Sequence, residues 1–213
     1  MPNMKIPDVA IRRLPVYLRV LLELGEKDEE IISSAELARL TGFSSEQIRK
    51  DLAYFGAFGT RGVGYSVEIL IQRIKRILNL HEVVEVALVG AGNLGTAFAR
   101  YNLNAHQDVR ITAIFDNDWG KMGKNIADVE ILPMDNLSGV IKERGIKMAI
   151  IAVPAFAAQE VANTLVNVGI EAILNFSPTK LNTPGHVSVQ NIDLSIELQS
   201  LAYYTSSDDK DLE

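Results

Sequence analysis

Residues 86–99 read "VALVGAGNLGTAFA". An uncharged apolar run ends at Val89 and passes into Gly90-Ala91-Gly92-Asn93-Leu94-Gly95-Thr96, after which the residues suit a helix. This is a GxGxxG pattern in the one setting that gives it meaning, between a strand and a helix. Each glycine has its own task. Gly90 makes the tight turn, Gly92 lets the backbone approach a pyrophosphate, and Gly95 lets helix and strand pack closely. The amides at the helix start would carry the phosphates.

Toward the C-terminus, "RITAIFDND" places Asp116 at the end of the next strand, at the distance where a carboxylate accepts from a ribose 2′-hydroxyl and repels a 2′-phosphate. The expected ligand is therefore NAD(H) rather than its phosphorylated form. Strands and helices then alternate. "VEIL", a helix from about 135 to 144, "KMAIIAV", a helix from about 157 to 168, "EAILNF" and "VSVQNI" follow in turn. Continuous apolar strands separated by helices predict a doubly wound parallel sheet of Rossmann type, covered on both faces. Val153-Pro154 and Asn175-Phe176 follow two of these strands, where ligands bind in such sheets, and are the expected walls for the nicotinamide half.

Toward the N-terminus the pattern differs. Ile11, Leu14, Leu18, Leu21 and Leu22 recur at helical spacing up to Gly25, with Pro15 expected to mark a first turn or a kink. Ser33 and Glu36 are spaced as a capping box for "SSAELARL", which Thr41-Gly42 stops. Ser44 caps a further helix whose apolar stripe is Ile48, Leu52 and Phe55. Two capped helices across a glycine turn make a helix-turn-helix pattern or a plain helical hairpin. The second helix leaves Ser45, Gln47, Arg49 and Lys50 on its outer and N-terminal face, chemistry suited to base edges and phosphates. "GAFGTRGVGY" then fits a glycine-turned β-hairpin, which converts the pattern into a winged helix with Thr60 and Arg61 at the wing tip. An arginine there suits a narrow minor groove.

Charge follows the same division. Residues 1–80 carry 12 basic and 10 acidic side chains, and residues 81–213 carry 9 and 17, within a net charge of -6. The expected organisation is a DNA-binding domain over 1–80, a nucleotide domain over 81–194 and a C-terminal helix and tail over 195–213. Cysteine is absent, which excludes disulfides and thiolate chemistry and suits a cytoplasmic protein. The three histidines, His81, His106 and His186, are not at metal-ligand spacing. No membrane helix or signal peptide is expected. A dehydrogenase needs a group to move a proton beside the hydride, and no His, Lys and carboxylate set after the fingerprint has that character. On residues alone, three readings stand: a ligand-responsive DNA-binding protein, a small NAD-dependent oxidoreductase with an oligomerisation module, and a nucleotide-binding subunit of a larger enzyme.

The motifs "RKDLAYFGAFGTRGVGY", "VGAGNLGTAF", "FD-D", Lys121 with Gly123, "VPA--AQ", "GI-AILNF-P" and "NIDL" occur in an order that resembles the bacterial redox-sensing transcriptional repressors of the Rex family. The resemblance spans almost the whole chain. It implies a homodimer that binds a palindromic double-stranded operator and releases it on binding NADH, with NAD+ as competitor, and it implies a regulator rather than an enzyme. It maps DNA contacts to Ser45, Gln47, Arg49, Lys50 and Arg61, the pyrophosphate loop to Gly90 through Thr96, the ribose acid to Asp116, and Lys121 to the cofactor-binding residues. It also implies a polar switch made by Arg19, Tyr101 and Asp193. Leu194 stands where some members carry Phe. The C-terminal helix "SIELQSLAYYT" exchanges between subunits in the family, and the tail "SSDDKDLE" reads as disordered.

Overall fold

In a computed structural model, the structure describes residues 6–56, 59–60, 62–105 and 108–205. Arg61, His106 and the acidic tail at 206–213 lie outside the described residues. The chain divides into two compact units, Met1–Glu82 and Val83–Glu213.

The first unit contains α1 (Asp8–Gly25), β1 (Ile31–Ile32), α2 (Ser34–Thr41), α3 (Ser45–Ala53), β2 (Gly59–Thr60), β3 (Gly64–Ser66) and α4 (Val67–Ile77). α1 runs through Pro15, because proline's fixed φ is helical and its ring lies on an exposed position. The Ser33 hydroxyl accepts from the Glu36 amide and that of Ser44 from the Gln47 amide, so both expected caps form. Gly42 ends α2 in the left-handed region. β2 and β3 pair as the antiparallel wing, with Gly59 opposite Tyr65 and Thr60 opposite Gly64. β1 adds a third strand on the far side of β3, a pairing two residues long that carries no readable period. Leu14, Tyr17, Leu21, Ile48, Leu52, Leu70 and Ile74 form one buried core.

The second unit contains β4 (Val84–Val89), α5 (Asn93–Ala105), β5 (Val109–Asp116), a short 3₁₀ turn (Trp119–Lys121), β6 (Asn125–Ile126), β7 (Val129–Pro133), α6 (Leu137–Arg144), β8 (Met148–Ile151), α7 (Ala155–Asn167), β9 (Ala172–Asn175), β10 (Ser188–Asn191) and α8 (Leu194–Ala202). The sheet order is β10-β9-β8-β4-β5-β7-β6, parallel except for the β6–β7 hairpin at one edge. The antiparallel edge strand is a departure from the all-parallel expectation. It arises from a tight return at Ala127, which has positive φ. Residues alternate across β4: Ala87 and Val89 enter one apolar layer, and Val86 and Leu88 the other. Order reverses between β4 and β8, so the crevice at their carboxyl ends is the topological switch point where ligands bind. No helix among the described residues is long and apolar enough to cross a membrane.

Candidate functional site

The glycine loop sits at that switch point. Gly90 has φ +103°, and a Cβ there would run into the carbonyl oxygen of Ala152. A Cβ on Gly95 would strike the carbonyl oxygen of Gly90. Both positions therefore require glycine for packing. At Gly92 a Cβ would meet nothing within 4 Å, so the space above it is open for a ligand's close approach. Asn93, Leu94, Gly95 and Thr96 form the first turn of α5, with the Thr96 amide bonded to Gly92.

Asp116 ends β5 and is only 6% exposed. Its carboxylate accepts from the Ala91 amide at 2.7 Å, the Asp118 amide at 2.8 Å and the Lys121 ammonium at 2.9 Å. Burial pushes its pKa up, but the bonds from the Asp118 amide, Lys121 and the Ala91 amide outweigh burial and hold it below the ordinary carboxylate value. A carboxylate has about four acceptor positions. Three are used, which leaves capacity for one ribose hydroxyl. Lys121 also lies 3.9 Å from Asp118.

A cleft of about 690 Å³ opens over these groups. Gly90, Gly92, Asp116, Lys121, Val153 and Pro154 all line it. Three contributions escaped the sequence reading: Met134 and Asp135 after β7, and the α7 face carrying Phe156 and Glu160. Phe156 is 90% exposed. The signal for it was an aromatic one helical step beyond the Pro154 turn. A glycine cradle, an ionised acceptor and an apolar wall fit a dinucleotide.

Asn175 and Phe176 are not among the lining residues. The Asn175 amide nitrogen donates to the Ser177 and Thr179 carbonyls and to Asn191, while its oxygen accepts from the Ser177 amide. Its polar groups are thus spent on holding the loop after β9. Phe176 packs on Phe98, with ring centroids 4.4 Å apart.

In the first unit, Lys50 and Thr60 are exposed and Ser45 is half-buried. Arg49 donates to the Ser34 hydroxyl at 3.1 Å. Arg49 and Thr60 share a shallow hollow with Ser33 and Gly62, between the start of α2 and the wing. Gln47 turns inward, its amide donating to Asp51 at 2.8 Å. Arg19 is exposed on α1, and Tyr101 is exposed on α5. Asp193 caps α8 by accepting from the Ser195 amide.

Comparison with known proteins finds matches in both units. Residues 5–53 match a family model described as "Putative DNA-binding protein N-terminus", and residues 81–179 match the "CoA binding domain" model. A redox-sensing transcriptional repressor Rex of Desulforamulus reducens is 47% identical over 95% of this chain and 97% of its own length. The Rex repressor of Streptomyces coelicolor is 46% identical over 93% of this chain and 77% of its own. A crystal structure of RSP in complex with β-NAD+ and operator DNA superposes with a TM-score of 0.86 at 38% identity, covering 93% of this chain and 92% of that one. RSP in complex with β-NADH gives 0.82 at 36% identity, covering 94% of each chain. With near-half identity sustained across both units, the chain belongs to the Rex family of redox-sensing transcriptional repressors.

Proposed function

We propose that this chain is a DNA-binding transcriptional repressor that senses the NADH/NAD+ ratio in the cytoplasm. A homodimer holds a palindromic operator through residues 1–80 and releases it when NADH fills the cleft of residues 81–194, with NAD+ as competitor. The observation that carries this reading is Asp116: a buried, ionised carboxylate bonded to the glycine loop, on a chain whose other unit is a winged helix. In the bound state Gly90 through Thr96 would hold the pyrophosphate, Asp116 and Lys121 the adenosine ribose, and Val153 and Pro154 would wall the nicotinamide half. Asn175 and Phe176 would shape the nicotinamide side indirectly, through the loop they pin and the packing on Phe98. Ser45, Arg49, Lys50, Thr60 and Arg61 would contact DNA. Arg19, Tyr101 and Asp193 would form the polar switch between the two ligand states. The C-terminal helix α8 would supply the dimer contact.

A gel shift with promoter fragments tests this. The protein should retard a palindromic fragment, and NADH should abolish the retarded band. Asp116→Ala should retain the band and resist NADH. Absence of a band at any salt, or a band indifferent to NADH with the unmodified protein, would contradict the reading.

A further inference from the structure

A fully satisfied polar cluster of the first unit lies under α3. Asp51 is 0% exposed, yet it is a carboxylate on the proposed reader helix. Arg13 grips it with both ends of its guanidinium, Nε to Oδ2 at 2.6 Å and Nη2 to Oδ1 at 2.8 Å. The Tyr17 hydroxyl donates to Oδ2 at 2.7 Å, and the Gln47 amide to Oδ1 at 2.8 Å. All of the roughly four acceptor positions of a carboxylate are filled. Arg13 and Tyr17 stand one turn apart on α1, so both reach the same point of α3. Both also meet Phe43 in the turn before α3: Tyr17 edge-on at 5.6 Å, and the guanidinium 6.0 Å from the ring centre.

A bidentate guanidinium fixes direction as well as distance. Rotation of α3 about its axis, or a slide along α1, would break several charge-assisted bonds together. Breaking them would strand a buried charge, which is far costlier than losing an exposed pair. Gln47, placed by the sequence among the DNA-contacting residues, spends one N–H on this carboxylate, and that bond sets the plane of its amide. An ionised carboxylate only accepts, so the amide nitrogen is the end that must face it.

We propose that Asp51 is the positioning residue of the reader helix, and that Gln47 serves operator recognition through this clamp with Arg13 and Tyr17 rather than by reading a base. The proposal rests on α3 being the helix that enters DNA. Asp51 fixes the rotation and height at which Ser45 and Lys50 are offered. Loss of the clamp should therefore lower affinity for the correct sequence and leave the identity of that sequence unchanged.

The test uses the full chain, a palindromic duplex selected by the unmodified protein from a randomised pool, and a duplex of scrambled sequence. Asp51→Asn keeps shape and removes charge. Gln47→Met keeps length and removes the donor, and it is the safer variant should Asp51→Asn not fold. Each should weaken operator binding about tenfold. Scrambled-duplex affinity and NADH affinity should not change, and the preferred base at every operator position should persist. Relaxed preference at one base pair per half-site in Gln47→Met would make Gln47 a base reader and overturn the proposal. A lowered melting temperature with an unaltered operator-to-scrambled ratio would reduce the cluster to a structural role and also overturn it. Neither result touches the repressor reading. Failure of the unmodified chain to select any sequence would defeat that reading, and the clamp's role with it.

Discussion

Asp51 and Asp116 are buried carboxylates, one in each unit; Asp51 is kept ionised by a full set of four donors and Asp116 by three. For Asp51, burial pushes the pKa up, and the bonds from Arg13, Tyr17 and Gln47 reverse that and leave it below the ordinary value of 3.8. The same carboxylate raises the pKa of Arg13, and burial followed by the bond to Asp51 raises that of Tyr17. A carboxylate whose folded pKa is depressed adds stability that is fully present above its ordinary pKa and is lost as pH falls through the folded value. Denaturant midpoints of the unmodified protein should therefore hold steady above about pH 5 and fall on acidification below about pH 4. Asp51→Asn should start lower and lose less over the same acid range, and an equally steep acid loss in that variant would contradict the assignment. The two residues differ in how readable they were. Asp116 stood at a fixed distance from a glycine fingerprint. Asp51 offered a subtler sign: it lies at i+3 from Ile48 and beside Leu52, so it is a charge on the apolar stripe of its helix. Its partners on α1 are 34 and 38 positions away and leave no periodic trace.

At the scale of elements, the helices and the central strands were legible because each carries its own period, and α2 and α3 carry their own caps as well. Ser33, Ser44 and Gly42 mark ends by local hydrogen bonding, which is a property of a few adjacent residues. β1 and β6 were not legible. Each is two residues long, and each owes its place to a partner strand rather than to its own composition. The cleft walls divide in the same way: the turn at Pro154 was legible, while the α7 face beyond it depends on how that helix lies over the sheet. α8 raises a different question, since none of its residues is buried. Leu194, Leu198 and Leu201 fall on one face and are each more than half exposed. In the proposed homodimer that face is covered by the partner subunit. Leu198→Asp with Leu201→Asp should leave the monomer fold intact and cost the dimer about 3 kcal/mol or more, from roughly 1.5–3 kcal/mol per buried leucine. Sedimentation should then show a shift toward monomer. An unchanged mass at the lowest measurable concentration would remove α8 from the dimer contact.

At the scale of the whole molecule, one chain carries a winged helix for DNA and a Rossmann sheet for a dinucleotide. Two reader helices of a dimer fit a palindrome only when spaced about one helical turn, roughly 34–36 Å. A ligand moves such a dimer between states only through a difference in affinity for them, since equal affinity shifts nothing. Thermodynamic linkage then makes the effect mutual. The factor by which NADH weakens operator binding is the factor by which operator weakens NADH binding. This reciprocity is what separates a redox-sensing repressor from a DNA-binding protein that merely carries a nucleotide site. The most direct measurement is a titration of NADH onto the full-length protein at fixed salt, with and without saturating operator duplex. NADH affinity should be weaker with operator present, by the same factor that NADH imposes on operator binding. Identical NADH affinities in the two titrations would contradict this.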